Sequence, residues 1–267
     1  MKFQAIASLV IAGFCVGSLL CSVSFVLSTS TKLGTETKDI YQENFENFKK
    51  QKLLTAETST TSVQKAESLF FVWENNTLKK IKKPNTLEET KNQKYFISTN
   101  EKLSLKDGIL TLSENQKTAW QSPKNWWVDS YDIADIDGDG KNDLAMSVWK
   151  SGNFGTSQPF WIKQNDPEVK NHFFVFSFLK NKIVPLWQSS NLPVPNCEFF
   201  ITNLDNEKTP ELVVVEGTYS RQNCVGDHLA VWKWNGWGFS NEYRSESSAF
   251  QKLKLVESKG KKIIAVN

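Results

Sequence analysis

Asp135-Ile136-Asp137-Gly138-Asp139-Gly140-Lys141-Asn142-Asp143 places four carboxylates within nine residues, between two apolar runs. Like charges at that spacing repel one another unless a cation sits among them. Side-chain oxygens at positions 1, 3, 5 and 9, with a backbone carbonyl at position 7, suit a hard ion such as Ca2+. Asp135, Asp137, Asp139 and Asp143 are the candidate side-chain ligands, and Lys141 supplies the carbonyl. Gly140 is where the chain has to bend, because glycine reaches positive φ without steric cost. The competing reading is a metal-free acidic turn in water, but such a turn needs one or two aspartates, not four in register.

The flanks decide what kind of loop this is. An EF-hand requires a bidentate Glu at position 12, and position 12 here is Met146. Trp126 to Ile133 before the loop and Leu144 to Trp149 after it are short, apolar and rich in β-branched or aromatic residues. Both read as strands.

Working outward, the chain repeats itself. His172-Phe173-Phe174-Val175-Phe176 leads to Trp187-Gln188-Ser189, and His228-Leu229-Ala230-Val231-Trp232 leads to Tyr243-Arg244-Ser245, with 15 residues from His to aromatic in both. Trp120-Gln121-Ser122 is a third such ending. Asp135 follows Trp120 by 15 residues, and Asn203 follows Trp187 by 16. The acidic loop therefore has a counterpart, Asn203, Asp205, Glu207, Thr209 and Glu211, before Leu212-Val213-Val214-Val215. A further copy has decayed to Glu257-Ser258-Lys259-Gly260 before Ile263-Ile264-Ala265-Val266, and Leu69 to Trp73 echoes Leu229 to Trp232. The unit is strand, acidic turn, strand, then an aromatic hairpin, recurring every 56–68 residues. Four antiparallel strands repeated in this way are the signature of propeller blades.

These residues resemble the FG-GAP/VCBS class of calcium-binding β-propeller repeats, as found in integrin α chains and many exported microbial proteins. Asp135 to Leu144 and the weaker echo at 203–212 carry the likeness, which covers roughly residues 100–267. It implies that the loop joins the first two strands of a blade and holds Ca2+ structurally. The chain departs from that family's pattern: Phe154-Gly155 follows the loop, no Gly-Ala-Pro follows the second strand, and only three to four units fit. The expected fold is all-β, with stacked four-stranded antiparallel blades in a small or incomplete propeller. In the second loop, Asn at position 1, Glu at position 5 and Lys208 in place of glycine weaken the case for a second metal.

Composition narrows the function. The 267 residues carry a net charge of +3, and Arg221 and Arg244 are the only arginines, so no nucleic-acid partner is expected. His172 and His228 are the only histidines. Their matching places in two repeats point to a structural role, bonding an adjacent carbonyl. No catalytic triad or zinc spacing is present. Ten tryptophans invite sugar stacking, but packing between blades uses the same side chains; Trp126, Trp127, Trp234 and Trp237 are expected at the surface.

Ala5 to Leu27 is an uncharged, mostly apolar run of 23 residues, long enough to span a bilayer as a helix. Residues 1–28 are read as a membrane anchor, with a signal peptide cleaved near Ser28-Thr29-Ser30 as the alternative. Residues 29–66 read as a juxtamembrane amphipathic helix (Ile40, Tyr41, Phe45, Phe48) and a linker, and 67–267 as the repeat domain. Export permits Cys197 and Cys224 to pair as a disulfide, against two buried thiols. The expectation is an anchored, extracytoplasmic, non-catalytic binding or scaffold domain with a protein or glycan ligand; an enzyme acting on polysaccharide, or a carbohydrate-binding module, is the alternative.

Overall fold

The computed structural model describes residues 40–55, 67–89, 96–98, 101–155, 157–162, 165–179, 182–219 and 226–267. Helix α1 covers 40–55. A hairpin of β1 (Leu69–Trp73) and β2 (Leu78–Ile81) follows, then the short β3 (Glu88–Glu89). Three four-stranded meanders come next. The first sheet is β4 (Phe96–Ser98), β5 (Glu101–Lys106), β6 (Ile109–Glu114) and β7 (Lys117–Gln121). The second is β8 (Trp127–Ala134), β9 (Asp143–Ser151), β10 (Val169–Leu179) and β11 (Lys182–Gln188). The third is β12 (Asn196–Thr202), β13 (Glu211–Gly217), β14 (Gly226–Trp234) and β15 (Phe239–Arg244). The C-terminal hairpin, β16 (Leu253–Ser258) and β17 (Lys261–Val266), does not make a sheet alone. It pairs with β1, giving a fourth sheet in the order β2-β1-β17-β16-β3. All pairings are antiparallel, and this last sheet has five strands where four were expected.

The stacking order follows from alternation, since successive side chains of a strand point to opposite faces. In β9, Leu144, Met146 and Val148 pack with Leu103, Leu110 and Leu112 of the first sheet. Ala145, on the opposite face, joins Phe173, Val175, Phe199, Leu212 and Val214 between the second and third sheets. In β13, Val213 and Val215 turn instead to Phe71, Ile264 and Val266 of the fourth sheet. β9 and β13 are buried on both faces because each lies inside its sheet and between two neighbouring sheets. Among the described residues no apolar cluster joins the fourth sheet to the first. The outer face of the fourth sheet buries Phe70, Val256 and Ile263 as a separate cluster.

The recurring serine has a physical purpose. Ser122, Ser189 and Ser245 each stand just past the fourth strand of their sheet. Each hydroxyl accepts from a main-chain amide (Leu110, Phe173, Leu229), and each serine amide donates to the carbonyl of that same residue. The two bonds lock the register of the outer hairpin.

Residues 44–55 of α1 belong to the same compact unit as the strands. Phe45 is buried with Trp127 and Trp149, and Phe48 stacks on Trp149 at 5.2 Å. The expected membrane segment at 1–28 and the linker from 56 to 66 lie outside the described residues. Among the described residues, no helix is long and apolar enough to cross a membrane.

Candidate metal centre

Both acidic loops join the first two strands of a sheet, β8 to β9 and β12 to β13. In the first, Gly138 and Gly140 take φ of 74° and 90°, so the bend assigned to Gly140 is present. Ligand oxygens of Asp135, Asp137 and Asp143 all lie within 4.8 Å of one another. Loop amides hold them there: Gly140 donates to Asp135 Oδ2, Asp139 to Asp137 Oδ1, and Ile136 to Asp143 Oδ2, at 2.9, 3.0 and 3.1 Å. Ser177 of β10 donates its hydroxyl to Asp143 Oδ1 at 2.8 Å. Asp135 Oδ1 is buried and has no hydrogen-bond partner. Burial pushes the Asp143 carboxyl above its ordinary range, and neighbouring Asp137 adds to the rise. Such a set of oxygens fits a hard cation: carboxylates preoriented by amides, one oxygen unsatisfied, one group reluctant to ionise alone.

Asp139 does not join that trio. Its side chain is exposed and paired with Lys141 Nζ at 2.8 Å, which lowers its pKa. The structure thus brings three of the four aspartates together.

The second loop keeps the same scaffold. Leu204 N donates to Glu211 Oε2 at 2.6 Å, as Ile136 does to Asp143. Glu207 N donates to Asp205 Oδ1 at 2.8 Å, as Asp139 does to Asp137. Asn206 takes φ of 63° at the place of Gly138. The two loops are neighbours, with Gly138 against the side chains of Lys208 and Thr209. What differs is a residue that sequence reasoning missed. Lys233 of β14 sets its Nζ 2.6 Å from Asp205 Oδ2, 2.6 Å from Glu207 Oε2 and 3.3 Å from Glu211 Oε1. These carboxylates raise the Lys233 pKa. The signal was in the repeat, because Ser177 and Lys233 each stand five residues after the repeated histidine.

Of the four tryptophans expected at the surface, only Trp237 is exposed, at 80%. Trp126, Trp127 and Trp234 are buried. Trp126 sits between the first two sheets beside Phe174, at 5.0 Å. Trp127 is covered by α1 on one side and lies over Gly108, where an added Cβ would come within 2.3 Å of the indole. Trp234 meets Trp187 and Phe239 edge-on. Their apolar area finds partners that only the tertiary packing supplies. Phe160 and Trp161, in a T-shaped pair at 4.8 Å, are exposed along with Trp237, at 90% and 68%.

His172 and His228 place Nδ1 at 3.3 and 2.8 Å from the carbonyls of Ser189 and Ser245. Cys197 is disulfide-bonded; Cys224, its expected partner, lies outside the described residues. A second unforeseen feature lies beside α1. Asp129 accepts from the indole of Trp127 at 2.9 Å, from the indole of Trp149, and from Lys52 Nζ at 2.9 Å. Next to it opens a cavity of about 660 Å3, lined by Phe48, Lys52, Trp149, Lys170 and Tyr219 among others.

Comparisons with protein-family models, with curated proteins and with solved structures found no match.

Proposed function

We propose that this chain is a calcium-stabilised, propeller-like binding or scaffold domain displayed on the outer side of a membrane. The observation that carries the metal is the convergence of Asp135, Asp137 and Asp143 oxygens within 4.8 Å, with Asp135 Oδ1 buried and unsatisfied. Ca2+ accepts six to eight oxygens in flexible geometry, so three carboxylates, a loop carbonyl such as that of Lys141, and water make a sufficient set. The four sheets act as blades, and the N-terminal hairpin β1–β2 completes the last of them by pairing with β17. That closure ties the two ends of the strand-bearing region together.

Display outside the cytoplasm is supported by the disulfide-bonded Cys197, because such bonds persist in oxidising compartments. The apolar run from Ala5 to Leu27 serves as the anchor. Ligand recognition falls to the aromatics left in contact with solvent, Trp237, Phe160 and Trp161, and to the cavity beside Trp149. The ligand is a protein or a glycan.

The test of the metal is a calcium titration of the full chain by calorimetry, with melting curves in Ca2+ and in EDTA. Saturable binding that Asp137→Asn abolishes supports the reading. No heat at millimolar Ca2+ and an unchanged melting curve in EDTA would end it. A glycan array and a pull-down, each repeated with Trp237→Ala, test the binding role.

A further inference from the structure

We propose that Lys233 is a tethered counter-ion standing in for a metal in the second loop, and that this one register position decides which cation a loop takes. The inference rests on the first loop being a calcium site. β9 pairs with β10 so that Asp143 faces Ser177, and β13 pairs with β14 so that Glu211 faces Lys233. Position 9 of each loop therefore looks at the same place on the third strand of its sheet. In one sheet that place holds a neutral hydroxyl, 2.8 Å from Asp143 Oδ1. In the other it holds an ammonium within 3.3 Å of three carboxylates, those at positions 3, 5 and 9.

The chemistry is complementary in both. Lys233 donates hydrogen bonds to Asp205 and Glu207 and lies 3.3 Å from Glu211 Oε1, so its charge stands among the carboxylates that an ion demanding six or more oxygens would have to gather. A hydroxyl carries no charge, so Ser177 leaves the trio at Asp135, Asp137 and Asp143 to be neutralised from solution. The remaining drift of the second loop follows. With only three acceptors needed, position 1 can become Asn203, and position 6 can become Lys208 instead of a glycine at positive φ. One divalent ion per chain is the consequence, and the second loop stays closed whatever the calcium concentration.

The experiment swaps the two residues in the full chain and counts Ca2+ by isothermal titration, with melting in Ca2+ and in EDTA. Wild type takes one equivalent. Lys233→Ser takes a second, and its Tm, lowered in EDTA by on the order of 10 °C, recovers in millimolar Ca2+. Ser177→Lys takes none and melts alike with and without EDTA. Should Lys233→Ser gain no equivalent, or fail to recover in calcium, the inference is overturned whatever wild type does. Should wild type itself bind no Ca2+, the first-loop reading falls, while a gain in Lys233→Ser would still establish the lysine as a metal substitute.

Discussion

The loop at 135–143 and its counterpart at 203–211 have equivalent flanking strands, the same register against the third strand and two equivalent internal hydrogen bonds, yet they balance their carboxylates differently. In the second loop the positive charge is part of the chain and arrives with folding. In the first loop Asp135, Asp137 and Asp143 make no ion pair with another described residue, so their neutralisation depends on what the solution supplies. A tethered ammonium is always present but is monovalent and fixed in reach. A free divalent ion is stronger and adaptable, but its contribution scales with its concentration.

The largest expected effect is at Lys233. Lys233→Ala leaves Glu211, whose side chain is 1% exposed, beside Asp205 without a cation. Breaking one side of a buried ion pair costs about 3–5 kcal/mol, so urea unfolding in EDTA should show an unfolding free energy lower by that amount. A loss below about 1 kcal/mol, the worth of a surface pair, would erase the difference between the loops. Calcium removal comes next. At a hundredfold excess over Kd a bound ion stabilises by about 2.7 kcal/mol, and EDTA should lower the Tm accordingly. Asp137→Asn should remove the response, whereas Asp139→Ala should keep most of it, because Asp139 is occupied with Lys141. Equal losses in the two variants would put Asp139 in the coordination shell.

The two repeats also sharpen each other through His172. Burial, and then Lys150, hold its pKa down to about 4, against about 6.5 in an unfolded chain. Between those values the unfolded state binds the extra proton, so stability is full above pH 6.5 and falls as the pH drops toward 4. At pH 5 the loss is about 2 kcal/mol from this group. His172→Gln should flatten that part of the pH profile, and an unchanged slope would assign it to the carboxylates. The smallest effects are at the hairpin serines. Ser189→Ala orphans the buried amide of Phe173 and should cost about 1–2 kcal/mol. Ser245→Ala, at a more open site, should cost less on thermal melting.

The loop was legible because ligand chemistry is local: residue types at fixed spacing, a glycine at the bend and strand-forming flanks all lie within about twenty residues. The repeat was legible for a related reason. The hydroxyl of the serine past the fourth strand meets the equivalent amide in three of the sheets, 16 residues away in the second and third and 12 in the first, so the sequence repeats the residue and, in two sheets, its distance. Surface exposure was not legible. Trp126 and Trp127 are adjacent, yet one is covered by the first sheet and the other by α1, and a pair of neighbouring indoles does not show which of them finds which cover. Helix α1 itself was expected from Phe45 and Phe48, but its seat on Trp149 and Asp129 was not, since Asp129 lies 77 residues from Lys52 and Trp149 lies farther still from Phe48.

By itself the sequence determined the strand content, the acidic loop with its candidate calcium ligands, and the four-stranded unit, all of which are written in short-range periodicity and spacing. Only the tertiary structure decided that the N-terminal hairpin completes the sheet begun by the last two strands, that Asp139 stands apart from the other three aspartates, and that Lys233 reaches the second loop from the neighbouring strand. The first and last of these are contacts between residues far apart in the chain, set by sheet pairing and register. Asp139 is drawn out of the trio by Lys141 two residues on, a choice of side-chain direction that residue spacing does not encode.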